Sequence, residues 1–149
     1  MPSLAWDEIA GRFAEAQNWW VSTSGGSGPH AVPVWGVVVH EALHFYGDPG
    51  AVRSRNLAAD PRLVVHLESG SDVLLLHGTA LSVSLAGADS EVNASYAAKY
   101  TDPSDLPYLP DATLNSASRL YVVTPARAIA WTLGGPDEWD NRRWSSAPA

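Results

Sequence analysis

The stretch WWVSTSGGSGPHAVPVWGVV, from Trp19 to Val38, decides the fold of this chain. Its two halves are rich in β-branched and aromatic residues, which are typical of strands. The cluster GGSGP at 25–29 separates them and is typical of a turn. The stretch therefore predicts a β-hairpin, with one strand over 19–24 and the other over 31–39.

The second strand of this hairpin contains two residues that are unusual inside a sheet. Pro33 has no N–H to donate to a ladder, and Gly36 offers no side chain for packing. Together they predict a bulge or a strand at the edge of the sheet.

Outside the hairpin, strand patterns alternate with helical ones. Apolar residues at helical spacing predict helices over 4–17 and 88–100, and the stretch 53–60 predicts a short helix that ends before Pro61. Strand patterns cover 43–47, 63–68, 73–83, 119–123 and 128–133, with a break at Pro125. This order predicts a mainly antiparallel β protein with inserted helices, and such a sheet closes or pairs to hide its edges. A barrel or a sandwich fits the pattern, and we expect a single domain over 1–149.

Composition narrows the class of protein. The chain has 149 residues, 46% of them hydrophobic, which is enough for one core. The net charge of -7 argues against nucleic-acid binding, because that affinity depends on cations that neutralise phosphates. No apolar run has membrane-spanning length, and the start carries acids where a signal peptide has a basic end, so we expect a cytoplasmic protein.

The residues that could build a metal or hydrolase site do not form a recognisable pattern. Cysteine is absent, which excludes disulfides and thiolate ligands. His40 and His44 are spaced like helical ligands, but they bracket a predicted turn and strand, where this spacing gives no shared face. No G-x-S-x-G motif is present. We therefore expect neither a metal site nor a serine hydrolase.

Three segments in fixed order resemble one known family. They are the hairpin segment, RSRNLAADPRLVVHLESG at 53–70 and RLYVVTPARAIAW at 119–131. Together they resemble the pyridoxamine 5'-phosphate oxidase-like, FMN-binding split-barrel superfamily, and within it the B group of flavin/deazaflavin oxidoreductases. The resemblance implies a homodimeric split β-barrel that binds coenzyme F-420 and transfers a hydride to an unsaturated small-molecule substrate. An FMN-dependent oxidase or reductase of the same fold, or a flavin-binding protein without turnover, remains the alternative.

The resemblance also implies which residues bind the cofactor. The residues implied to lie beside the ring system are Val32, Pro33, Val34 and Trp35. The residues implied to bind the cofactor's phosphate are Arg53, Ser54, Arg55 and Asn56. Trp131 and Arg143 are implied to reach the cofactor from the partner subunit. A turn that opens a helix exposes free N–H groups, and guanidinium groups add paired donors suited to phosphate. The sequence departs from the family where Arg53 replaces the more usual Lys and Ala51 replaces Ser or Arg. The loop over 101–115 is expected to shape the pocket.

Overall fold

The computed structural model describes residues 3–84, 90–115, 117–135, 138–139 and 141–146. In chain order the elements are α1 (Trp6–Glu15), β1 (Trp19–Gly25), β2 (Gly28–Val34), β3 (Val37–Val39), β4 (Ala42–Gly47), α2 (Val52–Ala59), β5 (Arg62–His66), β6 (Asp72–Ser84), α3 (Ser90–Lys99), α4 (Pro110–Thr113), β7 (Arg119–Thr132) and β8 (Arg142–Ser145). A short 3-10 turn, Leu106–Tyr108, precedes α4. The predicted start of the third helix, at Ala88 and Asp89, lies outside the described residues.

One antiparallel sheet organises the described chain. Its strands are ordered β2-β1-β5-β6-β7-β4-β3, and β8 pairs with β7 off this path. The long strand β7 pairs with β6 along most of its length, with β4 near its start and with β8 near its end. The prediction of a mainly antiparallel β protein with inserted helices is confirmed.

The predicted hairpin is present, but its second strand is shorter than predicted. β1 and β2 pair from Trp19↔Val34 to Gly25↔Gly28, and β2 is an edge strand, as Pro33 indicated. The prediction of one strand over 31–39 is wrong, because β2 ends at Val34 and β3 begins at Val37. A Cβ on Gly36 would lie 2.1 Å from the Trp19 ring. The buried indole of Trp19 therefore packs directly against the Gly36 backbone, at the break between β2 and β3.

For β7 the prediction is wrong in the opposite way, because the structure has one strand where the sequence predicts two. The sequence predicts two strands with a break at Pro125, whereas β7 continues through that residue. Pro125 faces Gly78 of β6, where the register shifts by a bulge. A Cβ on Gly78 would lie 2.4 Å from the Thr124 carbonyl oxygen, so a residue without a side chain allows the close approach. At the bulge the ladder does not need the N–H that Pro125 lacks, so β7 continues through this residue.

Two groups of buried side chains stabilise the sheet. The larger one packs α1 against the inner face of the sheet, with Phe13 edge-on to Trp19 at a centroid distance of 5.5 Å. The smaller one lies under α3 and is made of Val37, Val39, Val92, Tyr96, Tyr100 and Leu120. Within the described residues, no helix is long and apolar enough to cross a membrane.

Candidate functional site

A groove with a cavity of about 260 Å³ opens where β2 ends. Its lining comes from β2 and the following residue (Pro33, Val34, Trp35), from β4 (Tyr46), from α2 (Arg53), from α3 (Tyr96) and from the segment around α4 (Tyr108, Pro110, Thr113, Leu114). The predicted ring-binding segment and the first predicted phosphate-binding residue therefore meet in one place. The loop over 101–115, which is predicted to shape the pocket, supplies one wall of the groove.

The break between β2 and β3 is held by side chains of α3. The Tyr100 hydroxyl accepts a hydrogen bond from the Gly36 N–H at 3.0 Å, and it lies 2.9 Å from the Gln17 carbonyl oxygen, to which it donates. Lys99 Nζ donates to the Gly36 carbonyl oxygen at 2.6 Å. These contacts satisfy backbone groups that a continuous ladder would otherwise pair. The groove is thus built on an interruption of the sheet that α3 stabilises.

Aromatic rings form the walls of the groove. Trp35 stacks on Tyr100 with a centroid distance of 4.2 Å and an interplanar angle of 6°. Tyr108 meets Trp35 edge-on at 6.4 Å, and its side chain is 66% exposed. Such surfaces favour a flat aromatic ligand, because ring faces and edges attract one another over these distances.

Two further tyrosines line the groove, the buried Tyr96 and the half-buried Tyr46. The Tyr96 hydroxyl donates to the Trp35 carbonyl oxygen at 2.9 Å, and the Tyr46 hydroxyl contacts Asn93 Oδ1. Burial raises the pKa of Tyr96, and burial also raises the pKa of Tyr100 to about 12. Both phenols are therefore neutral at ordinary pH and act as hydrogen-bond donors.

Arg53 brings a positive charge into this aromatic setting. Its Nη2 donates to the Tyr46 carbonyl oxygen at 3.2 Å, and its guanidinium lies 5.9 Å from the centroid of the Phe45 ring. Burial lowers the pKa of Arg53, but a guanidinium remains protonated. Its Nε atom is buried and has no hydrogen-bond partner among the described residues. A half-buried cation with an unused donor is suited to an anionic ligand.

A second cavity, of about 470 Å³, has a lining that includes Ser54 and Arg55 of α2 and Tyr121 of β7. Ser54 lines it and is only 4% exposed, yet its Oγ has no hydrogen-bond partner among the described residues. A Cβ on Gly47 would lie 3.0 Å from Arg53 Nη2 and 3.0 Å from Ser54 Oγ. Glycine at this position therefore lets both polar groups approach the end of β4.

The other two residues of the predicted phosphate motif, Arg55 and Asn56, do not line the groove. Asn56 is buried, and its Nδ2 donates to Thr23 Oγ1 of β1 at 3.1 Å. Arg55 is exposed, and its Nη1 donates to the Gly50 carbonyl oxygen at 2.9 Å. Asn56 thus joins α2 to the sheet, whereas Arg55 borders the cavities next to the groove.

The remaining predicted site residues lie outside the groove of their own chain. Val32 packs against the main core. Trp131 lies near the end of β7, far along the strand from the residues that pair with β4. Arg143 is on β8, opposite Ile129. Within one chain the structure does not bring Trp131 and Arg143 to Arg53.

Four residues of this site were not predicted from the sequence. Tyr46, Tyr96 and Tyr108 line the groove, and Tyr100 supports Trp35. The spacing of Tyr96 and Tyr100 along the predicted third helix was a usable signal, since it places both on one face. No cluster of three or more metal-ligating side chains occurs in the described part of the chain.

Comparison with known proteins identifies the fold. No protein-family model matches the chain, and no curated protein matches it either. Among solved structures, a NimC/NimA family protein from Clostridium acetobutylicum has a TM-score of 0.69 at 12% identity, over 93% of this chain and 90% of that one. A candidate pyridoxamine 5'-phosphate oxidase from Listeria innocua has a TM-score of 0.61 at 13% identity, over 84% and 96%.

A third similar structure carries a different name. The heme storage protein HutZ of Vibrio cholerae has a TM-score of 0.62 at 17% identity, over 80% of this chain and 88% of that one. Identities this low establish the fold alone. The described chain has the split-barrel fold of pyridoxamine 5'-phosphate oxidase-like proteins, so the predicted split β-barrel is confirmed.

Proposed function

We propose that this split-barrel chain binds coenzyme F-420 in the aromatic groove and works as an oxidoreductase on a small unsaturated substrate. The observation that carries the proposal is Arg53, a half-buried cation whose Nε lacks a partner among the described residues. It lies in a groove whose lining also includes four aromatic side chains. A planar redox cofactor with an anionic tail matches both features.

The residues present fit such a cofactor. Trp35 and Tyr108 offer a face and an edge to a flat ring, and the exposed β2 edge at Pro33 offers carbonyl groups without a competing proline N–H. Arg53 and Ser54 hold unused polar atoms for a phosphoryl group. When bound, the cofactor supplies the hydride, and the chain supplies binding, orientation and exclusion of water.

The tyrosine hydroxyl groups in the groove differ in whether they can contact a ligand. Tyr96 and Tyr46 direct their hydroxyls to Trp35 and Asn93, so they fix the groove rather than face a ligand. Tyr108 stands at the open end, where its phenol can hold a proton near a bound substrate. We assign Tyr108 as the group that closes the groove over the substrate.

We also propose that the active form is a homodimer. The outer face of the sheet carries a band of half-exposed aromatic and apolar residues: Trp20, Val64, His66, Leu75, Ile129 and Trp131. Trp20 and His66 stack there at 6.4 Å. The cavity of about 260 Å³ is below the roughly 300–1,000 Å³ typical of small-molecule sites, which favours completion by a second subunit. Trp131 would then serve the partner's groove, whereas Arg143 lines a cavity of its own chain.

The alternatives make different demands on the groove. FMN has the same ring shape and one phosphate, so it uses the same residues and is distinguished by its spectrum. A binding protein without turnover would hold either coenzyme tightly and oxidise neither reduced form. Heme would require an iron ligand, and among the described residues that line the groove only the tyrosines are of a type that ligates heme iron.

Replacing Arg53 tests the proposal. Titration with coenzyme F-420 and with FMN, followed by tryptophan fluorescence, should show that Arg53→Gln lowers cofactor affinity by about tenfold to a hundredfold. The matched control Arg12→Gln removes a half-buried arginine that pairs with Asp72 outside the groove, and this variant should bind the cofactor normally. Equal affinities of Arg53→Gln and the unchanged protein would refute the assignment. Turnover of reduced cofactor across a panel of acceptors then separates an enzyme from a binding protein.

A further inference from the structure

A separate cavity, here called the basic cavity, lies where β6, β7 and β8 meet. Its volume is about 390 Å³, and its lining includes His77, Arg127, Arg143 and Ser145. None of the described residues that line it is acidic. It lies next to the bulge at Pro125 and outside the groove that carries the proposed function.

Strand register places the basic side chains on one face of the sheet. His77 pairs with Arg127, and Arg127 pairs with Ser145 across the next ladder. Arg143 is two residues from Ser145 along β8, so its side chain points to the same face. Two guanidinium groups and one imidazole therefore converge from three adjacent strands.

The contact between Arg127 and His77 fixes the imidazole tautomer. Arg127 Nη2 lies 3.3 Å from His77 Nδ1, and a guanidinium can only donate, so Nδ1 accepts and the proton is on Nε2. Burial lowers the pKa of His77, and the charge of Arg127 lowers it further. The ring is thus neutral and keeps one N–H donor for a ligand.

The described parts of the neighbouring strands bring no negative charge to His77. On β7 and β8, Arg127 and Arg143 face His77, and no described carboxylate pairs with either arginine. On β5, His77 is opposite the apolar Val64. The next charged group on that strand, Arg62, is neutralised by Asp60 at 2.7 Å. The positive charge of the basic cavity is therefore uncompensated among the described residues.

The β8 backbone is fixed before any ligand arrives. Arg142, on the opposite face of β8, forms a forked pair with Glu8 at 2.7 and 2.6 Å. Trp144 packs on Trp6 at 4.9 Å, and the Leu4 N–H donates to the Arg143 carbonyl oxygen at 3.0 Å. Preorganised donors bind an anion without a large ordering cost.

We propose that the basic cavity is a binding site for a tetrahedral oxyanion of the phosphate type. Donors from His77, Arg127 and Arg143 approach from three strands, which suits an anion with at least three oxygens better than a carboxylate with two. Ser145 adds a hydroxyl to the same lining. This site goes beyond the proposed redox function and does not depend on it, because it requires no cofactor.

Titration with inorganic phosphate tests the site in the whole protein. Proton NMR of the five histidine rings should show the pKa of His77 rising by about half a unit or more when phosphate binds, with chloride at equal ionic strength as reference. The pKa rises because an adjacent anion favours the imidazolium form. An unchanged His77 pKa at saturating phosphate overturns the proposal.

Matched substitutions separate a built site from general charge attraction. Arg127→Gln should weaken phosphate binding about tenfold or more, whereas Arg62→Gln, on the same face of the sheet, should change it less than about twofold. Equal losses in both variants overturn the proposal. Phosphate that stays bound when coenzyme F-420 is added supports a separate site, whereas displacement by the coenzyme overturns the independence of this site from the proposed redox function.

Discussion

The groove and the basic cavity both present arginines that no described carboxylate neutralises, but they hold them differently. Arg53 is half-buried, donates to a main-chain carbonyl and lies over the Phe45 ring. Arg127 and Arg143 are exposed on the outer face of the sheet. Salt screens exposed charges much more than buried ones. We therefore expect ligand affinity in the groove to resist added salt and phosphate affinity in the basic cavity to fall with it.

The two regions also differ in what supports them. The groove lies at an interruption of the sheet, and Lys99 and Tyr100 from α3 satisfy the exposed backbone of Gly36. The basic cavity lies on the paired strands β6, β7 and β8 beside the bulge at Gly78, and its arginines are exposed. Substitutions that alter the groove should therefore change the stability of the whole domain, whereas those at the cavity should chiefly change binding.

The largest expected effect comes from adding one methyl group beneath the groove. Gly36→Ala places a Cβ 2.1 Å from the Trp19 ring, which is fully buried. We expect a loss of about 3 kcal/mol or more in the free energy of unfolding, measured by urea denaturation. Gly11→Ala is the control, since a Cβ there meets nothing within 4 Å and lies in a helix. If both variants unfold at the same urea concentration, the packing of Trp19 does not hold the groove.

A smaller effect should appear in the pH dependence of stability. Burial lowers the pKa of Lys99 to about 8, below the roughly 10.4 of an unfolded chain. The unfolded state then binds the proton more tightly, so stability should rise as pH increases from about 8 to about 10. With partial exposure of the amine taken into account, we expect about 1 kcal/mol over this range.

The Lys99→Met variant isolates this contribution. It removes the titrating amine, so the rise in unfolding free energy over the same pH interval should disappear. Urea unfolding at several pH values below 10, where tyrosines of the unfolded chain remain neutral, is the measurement. A slope that persists in Lys99→Met would assign the effect to another group.

The smallest expected effect lies at the basic cavity. Arg142→Gln removes an ion pair whose side chains are 35% and 38% exposed, so the cost in stability should be below about 1 kcal/mol. The hydrogen bond from Arg142 lowers the pKa of Glu8, so this contribution is present at neutral pH and is lost as pH falls through the carboxyl range. Phosphate affinity should fall a few-fold, because β8 loses an anchor. Unchanged phosphate affinity would show that β8 needs no such anchor.

The sequence predicts the regular parts of this fold because their signals are local. The GGSGP turn fixed the hairpin, and apolar spacing located α1 to within two residues at each end. The break at Gly36 was not predictable in this way. It depends on the Trp19 ring and on Tyr100, which is distant in sequence, and no local pattern reports such contacts.

The candidate site could be predicted only in part. Pro33, Trp35 and Arg53 meet in the groove, but Arg55 and Asn56 point away from it. Successive helical residues differ in direction by about 100°, so a run of four within α2 cannot face one ligand. The aromatic walls come from β4, α3 and the segment before α4, and only the folded chain brings these together.

The composition of β2 also affects how the protein behaves among copies of itself. β2 is an outermost strand, and an open strand edge can recruit further strands into fibres. Pro29, Ala31 and Pro33 occupy equivalent alternating positions along it. Neither proline can donate a hydrogen bond, so Ala31 is the one amide in this row available to an incoming strand. Pro33, which lines the groove, therefore also protects this strand edge against open-ended aggregation.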